Sequence, residues 1–157
     1  SVFLGAFVFL ALWEWRWPKR VLTQDKGKRW LNNIALMVTG TLVVRVFVPI
    51  VAVGAAYFAE ENHLGFANHI EVPLWLEVVV VFVLLDLAIY FQHAMFHVMP
   101  VLWRFHRVHH SDLDFDITTG VRFHPVEILI SMFIKIFLIV TWGAPVLAVI
   151  LFEIVLN

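Results

Sequence analysis

Apolar residues come in long runs separated by short polar segments, and these runs set the elements. Residues 1–17 are almost wholly apolar and close on Trp13, Trp15 and Trp17 before Pro18. That predicts a helix ending in the aromatic belt of a membrane interface. A second run, 30–57, predicts a span carrying Asn32, Asn33, Thr39, Thr41 and Arg45, kinked at Pro49. The third, 73–98, is rich in β-branched residues yet long enough to cross a bilayer. A fourth, 128–142, breaks at Gly143-Ala144-Pro145, and a fifth covers 146–156. Each of these two is short for a simple span, so a hairpin dipping into the bilayer is the alternative.

The connections add orientation. Lys19, Arg20, Lys26, Lys28 and Arg29 form a basic loop, which the excess of basic residues on inner loops places in the cytoplasm. The polar loop after residue 57 then lies on the opposite side, and its His63 and His69 read as solvated. The third run ends back at the cytoplasmic face, where Arg104 and Arg107 agree. The expected fold is all-α: an integral membrane bundle of about four to five apolar helices with a cytoplasmic histidine-rich helical cap. It forms a single membrane-embedded domain over 1–157. The chain opens in mid-helix without Met or a signal-peptide pattern and stops inside an apolar run, so it reads as trimmed at both ends.

Composition sharpens this. Of 157 residues 62% are hydrophobic and 15% charged, with a mean hydropathy of +0.89, well beyond a soluble domain. A net charge of -1 gives no footprint for nucleic acid. With no cysteine, disulfides, iron–sulfur clusters, thiolate metal sites and cysteine nucleophiles are excluded. A bound metal must be held by histidine, carboxylate or water.

Six of the eight histidines crowd between Asp86 and Glu127. His93 and His97 are four apart, one turn along a single helix face, and Tyr90 and Asp86 lie on the same stripe. An aspartate there could fix the tautomer of a histidine ligand. His106, His109 and His110 repeat the spacing after a break at Pro100, and His124 follows in a third segment. Imidazoles with nearby carboxylates suit iron, zinc or another borderline metal. A basic headgroup patch would use Lys and Arg instead. Other polar residues take plainer readings: Asp112, Asp114 and Asp116 as a solvated turn, and Thr118, Thr119 and Gly120 as a turn leading to His124. Lys135 reads as snorkelling, Glu127 as a carboxylate at a helix N-terminus, and Arg45 as snorkelling or paired with a carboxylate such as Asp86.

In order, the motifs DxxxYxxHxxxH, WRFHRVHHSD and DxTTGxRFHPVE resemble the fatty acid hydroxylase and sterol desaturase superfamily of integral membrane oxygenases, over roughly residues 30–157. The resemblance implies a two-metal centre, generally di-iron, that uses O2 to hydroxylate or desaturate lipid C–H bonds; zinc can replace iron in preparations. It implies His93 and His97 as the first ligand pair, then His106, His109 and His110, with His124 a further ligand. Asp86, Tyr90 and Glu127 would support the ligands from behind. The implied partners are a lipid substrate, the membrane (bacterial inner membrane or endoplasmic reticulum) and a separate electron donor of the cytochrome b5 or ferredoxin type. Ala94 stands where the family often has Arg, and the family's last histidine box is not reached before Asn157, so the chain alone is expected to be inactive. The rival readings are a membrane haem protein for electron transfer and a non-catalytic lipid-binding relative. A zinc hydrolase is weaker still, since no HExxH is present.

Overall fold

Each apolar run becomes a helix in the computed structural model, which describes residues 2–19 and 21–156. Arg20 of the expected basic loop and Asn157 lie outside the described residues. The helices are α1 (Val2–Arg16), α2 (Lys26–Phe47), α3 (Ala52–Glu61), α4 (Leu74–Val98), α5 (Pro100–His110), α6 (Pro125–Trp142) and α7 (Val146–Leu156). Short 3-10 turns cover Phe66–His69 and Ile117–Val121, and there is no strand among the described residues. Pro49 does more than kink the second run. α2 stops at Phe47 and α3 starts afresh at Ala52, because proline cannot donate and clashes with the preceding turn. Pro100 acts the other way: it opens α5 as its first residue, with Met99 extended before it.

Lys26–His69, Leu74–Val98 and Pro125–Trp142 are long and apolar enough to cross a membrane; Val146–Leu156 is apolar but shorter. Large side chains such as Leu42, Val46, Val79 and Phe91 stand exposed along these helices, as lipid-facing residues do. The fold is therefore all-α and of the membrane-helix kind.

Two units are distinguished by their packing. The second, Phe47–Met95 with the residues from Leu129 on, has an apolar core in which Ala52, Ala55 and Ala56 of α3 meet Ala148, Val149 and Phe152 of α7. Val81 and Leu85 of α4 and Ile139 of α6 complete it. Small residues let helix backbones approach closely where lipid supplies no hydrophobic drive. Lys135 does not snorkel: it is buried and its Nζ pairs with Glu153 Oε1 at 2.6 Å. Gly143 ends α6 in the left-handed region (φ 79°), and its backbone touches that of Gly65 (φ 91°) so closely that a Cβ on Gly65 would collide with it. Gln92, next to His93 on α4, donates to Ser131 Oγ of α6.

The first unit, the residues up to Val46 with Phe96–Ile128, buries charge. Arg29, assigned by the sequence to a basic connecting loop, lies buried in the first turn of α2. Its guanidinium reaches Asp112 (Nε to Oδ1, 2.7 Å) and Asp116 (Nη1 to Oδ2, 2.9 Å). Asp112 also accepts from Asn33 and Thr119, and Asp116 from Trp30 and Thr118. Asp114 accepts from the Thr23 and Gln24 backbones at 2.9 and 2.7 Å. The three aspartates are thus a clamp and not a solvated turn. Burial alone would raise their carboxyls. The hydrogen bonds and the charge of Arg29 outweigh it, holding all three below the ordinary aspartate value of 3.8.

Candidate metal centre

The centre grows from α5. Apolar Leu102 and Phe105 share a stripe with His106 and His109 at spacings of three and four, so burying that stripe carries two histidines inward. His106 is completely buried. Its Nδ1 lies 2.7 Å from Glu127 Oε1, at the start of α6. An ionised Glu127 can only accept, which places the proton on Nδ1 and the ring's lone pair on Nε2. That Nε2 stands 3.2 Å from His97 Nε2 and 3.1 Å from His110 Nε2.

One lone pair facing two further imidazole nitrogens is poorly satisfied by hydrogen bonds alone. A single cation would satisfy all three. Nitrogen ligands about 2.1 Å from a metal lie roughly 3.0–3.4 Å from one another, and both separations from His106 Nε2 fall in that range. Glu127 Oε2 is buried with no hydrogen-bond partner among the described residues, leaving the carboxylate an acceptor that no protein donor uses. The donor set thus fits a borderline metal.

The remaining candidates occupy distinct positions. His93 is exposed one turn before His97 on the continuous helix α4, with Tyr90 and Asp86 exposed on the same stripe. His109 is half-buried, stacked on Phe123 at 4.7 Å between ring centres, with its Nδ1 3.3 Å from the Arg122 carbonyl. A carbonyl can only accept, which puts this ring's lone pair on Nε2. His124 differs: its Nδ1 accepts from the Val126 N–H at 3.2 Å, capping the N-terminus of α6, so in the neutral ring Nε2 carries the proton. Glu127 at a helix start remains favourable for the dipole, but its contact with His106 is the larger fact.

Sequence reasoning missed what holds α5 in place. Arg122 donates from Nε to the Val108 carbonyl (2.8 Å), from Nη2 to Ser111 Oγ (2.9 Å) and from Nη1 to Asn33 Oδ1 (2.6 Å). It satisfies a carbonyl in the last turn of α5 while its own carbonyl orients His109. Asp112, two residues after His110, ties the same end to Arg29. Asp116 and Thr119 form a reciprocal capping box that sets the Ile117–Val121 turn leading to His124.

The chain is 25% identical over 149 residues to an ornithine lipid hydroxylase, OlsE, from Rhizobium tropici; the match takes in 92% of the chain but 45% of the relative, so the chain spans about half that protein's length. No solved structure matches it. The sequence pattern of the fatty acid hydroxylases matches residues 78–157, half of the chain and all of the histidine cluster, and the chain belongs to the fatty acid hydroxylase family.

Proposed function

We propose that the chain carries the histidine centre of a multi-pass membrane enzyme that uses O2 to hydroxylate or desaturate a lipid C–H bond. The convergence of the Nε2 atoms of His97, His106 and His110, with Glu127 behind His106, carries this reading. His93 joins them from the preceding turn of α4, with Asp86 and Tyr90 as its orienting groups, and His109 adds a fifth imidazole. Two iron ions are the expected complement, and zinc can take their place in preparations. His124 enters the set only by exchanging the capping bond to Val126 for a metal.

When bound, iron supplies the power to break an unactivated C–H bond. The chain's own residues fix proton positions. Glu127 and the Arg122 carbonyl hold protons on Nδ1 of His106 and His109, aiming both Nε2 lone pairs inward. Phe96 packs on His106 at 5.8 Å, and Trp103 on His97 at 5.5 Å, giving the rings apolar neighbours. In hydroxylation, the C–H bond, O2, two electrons and two protons yield an alcohol and water. The electrons come from a separate donor of the cytochrome b5 or ferredoxin type. The lipid enters from the bilayer, and the basic residues Arg104 and Arg107 support a cytoplasmic setting for the cluster.

Ornithine lipid, named for the relative, is the first substrate to test. Membranes bearing the full-length protein that contains this chain and an electron donor, supplied with isotopically heavy oxygen gas, should yield lipid carrying one heavy oxygen atom. Label arriving from heavy water would contradict an O2-dependent hydroxylation.

A further inference from the structure

Asn33 has no part in the reaction above, and it lies before the 78–157 stretch that the family pattern matches. It stands one turn after Arg29 on α2, so one face of that helix meets residues 112–122 twice. The side chain is completely buried, which is costly for an amide unless both its ends are satisfied. Its contacts are directional. Oδ1 can only accept, and it takes Nη1 of Arg122 at 2.6 Å. Nδ2 can only donate, and it gives to Thr118 Oγ1 at 2.8 Å and to Asp112 Oδ2 at 3.1 Å. An aspartate here would face Asp112 with like charge, and a leucine would leave Arg122 short of an acceptor.

What lies beyond Arg122 gives this node a role. The guanidinium is held at Asn33, at the Val108 carbonyl and at Ser111 Oγ, which fixes residue 122 against the end of α5. The carbonyl of that same residue is the acceptor for His109 Nδ1, at 3.3 Å. His106 is held by a carboxylate at 2.7 Å, whereas His109 has a neutral acceptor near the outer limit of a hydrogen bond. So long a bond keeps its direction only while the carbonyl cannot drift. Stacking on Phe123, at 4.7 Å and 2° between planes, sets the plane of the His109 ring but not which nitrogen carries the proton.

We propose that Asn33 is a positioning residue of the metal centre: acting through Arg122, it holds the His109 ring with its proton on Nδ1 and its Nε2 lone pair presented to a metal. This rests on His109 serving the centre as a ligand. The state of the ring is set before any metal binds, so it is measured without one.

The test is nitrogen NMR of the full-length protein that contains this chain, labelled at histidine, metal-free and at an alkaline pH where imidazole is neutral. His109→Gln identifies the His109 signals by their loss. The unaltered protein should show His109 protonated at Nδ1. Asn33→Leu, the milder Asn33→Ser and Arg122→Lys, which keeps the charge without the planar fork, should each replace that pattern by an average of the two tautomers. His106, held by Glu127, should not change, and Ala148→Leu should leave both rings as they are. In a separate titration with ferrous iron against a chelator, Asn33→Leu should bind about tenfold more weakly. Added to His109→Gln, it should weaken binding no further, because the two act through one ring. A His109 pattern that survives both Asn33 variants would overturn the proposal, as would the same change in Ala148→Leu. So would additive losses in the double variant. Failure to bind iron in the unaltered protein, with the His109 pattern as expected, would count against the metal reading and not against the Asn33 tether.

Discussion

The two units of this chain bury opposite chemistry. In the second, α3 and α7 meet through Ala55, Ala56, Ala148 and Val149, and one ion pair, Lys135–Glu153, is the main polar contact set into that packing. In the first, the buried polar groups are Arg29, Asn33, Asp114, Asp116, Thr118, Thr119, His106 and Glu127. Dispersion between small side chains is short-ranged but undirected, so it joins helices without fixing any one ring. Charge-assisted hydrogen bonds are directional, and a metal centre needs its ligands held to a fraction of an ångström. The unit that holds the proposed centre on His97, His106 and His110 is accordingly the one built from costly polar contacts.

Breaking the polar clamp should have the largest effect. Arg29→Met strands Asp112 and Asp116 without their cation, and removing one partner of a buried pair costs about 3–5 kcal/mol. Thermal or denaturant unfolding in detergent should show that loss, whereas Lys28→Met, an exposed neighbour, should change little. Next comes Glu127→Gln, which preserves shape but weakens the hold on His106 Nδ1. Metal affinity, read by competition with a chelator, should fall about 10–100-fold while the unfolding midpoint moves far less. In the apolar unit, Ala148→Leu forces bulk into the fully buried α3–α7 contact and should destabilise by about 1–3 kcal/mol without altering metal affinity. If Ala148→Leu instead lowered metal affinity as much as Glu127→Gln, the division of labour between the units would be wrong.

Acid separates the units more gently. The carboxyls of Asp114 and Asp116 are depressed in the folded chain, so their contribution is full above the ordinary value of 3.8 and fades as pH falls through the lower folded values. Unfolding followed by pH should show the first unit loosening in that acidic range. Asp114→Asn/Asp116→Asn should flatten the dependence.

Hydropathy is a local property, so the helices were legible in the sequence almost residue by residue, and Pro49, Pro100 and Gly143 marked real breaks. The spacing of His93, His97, His106, His109 and His110 was legible for the same reason: a helix turns local spacing into a shared face. The clamp was not legible. Asp112 and Asp116 find Arg29 83 and 87 positions away, and no local pattern encodes such a pairing. A signal did exist in a chain only 15% charged, where three alternating aspartates beside a histidine box and an Arg-Trp-x-x-Asn helix start each needed partners. Spacing alone read Glu127 as a dipole partner, because its proline-led helix start explains it locally and His106 lies 21 positions back; only the family resemblance set it behind the ligands. The capping role of His124 turns on which ring nitrogen meets the Val126 N–H, and sequence carries no sign of that.

Metal content tests the central claim most directly. The protein should be purified in detergent, loaded with ferrous iron and passed through a desalting column, beside His106→Ala and His63→Ala. Bound iron in the unaltered protein and in His63→Ala, lost from His106→Ala and without a haem absorption band, is the predicted result. Iron retained equally by His106→Ala, or a haem spectrum, would contradict a centre built on His97, His106 and His110.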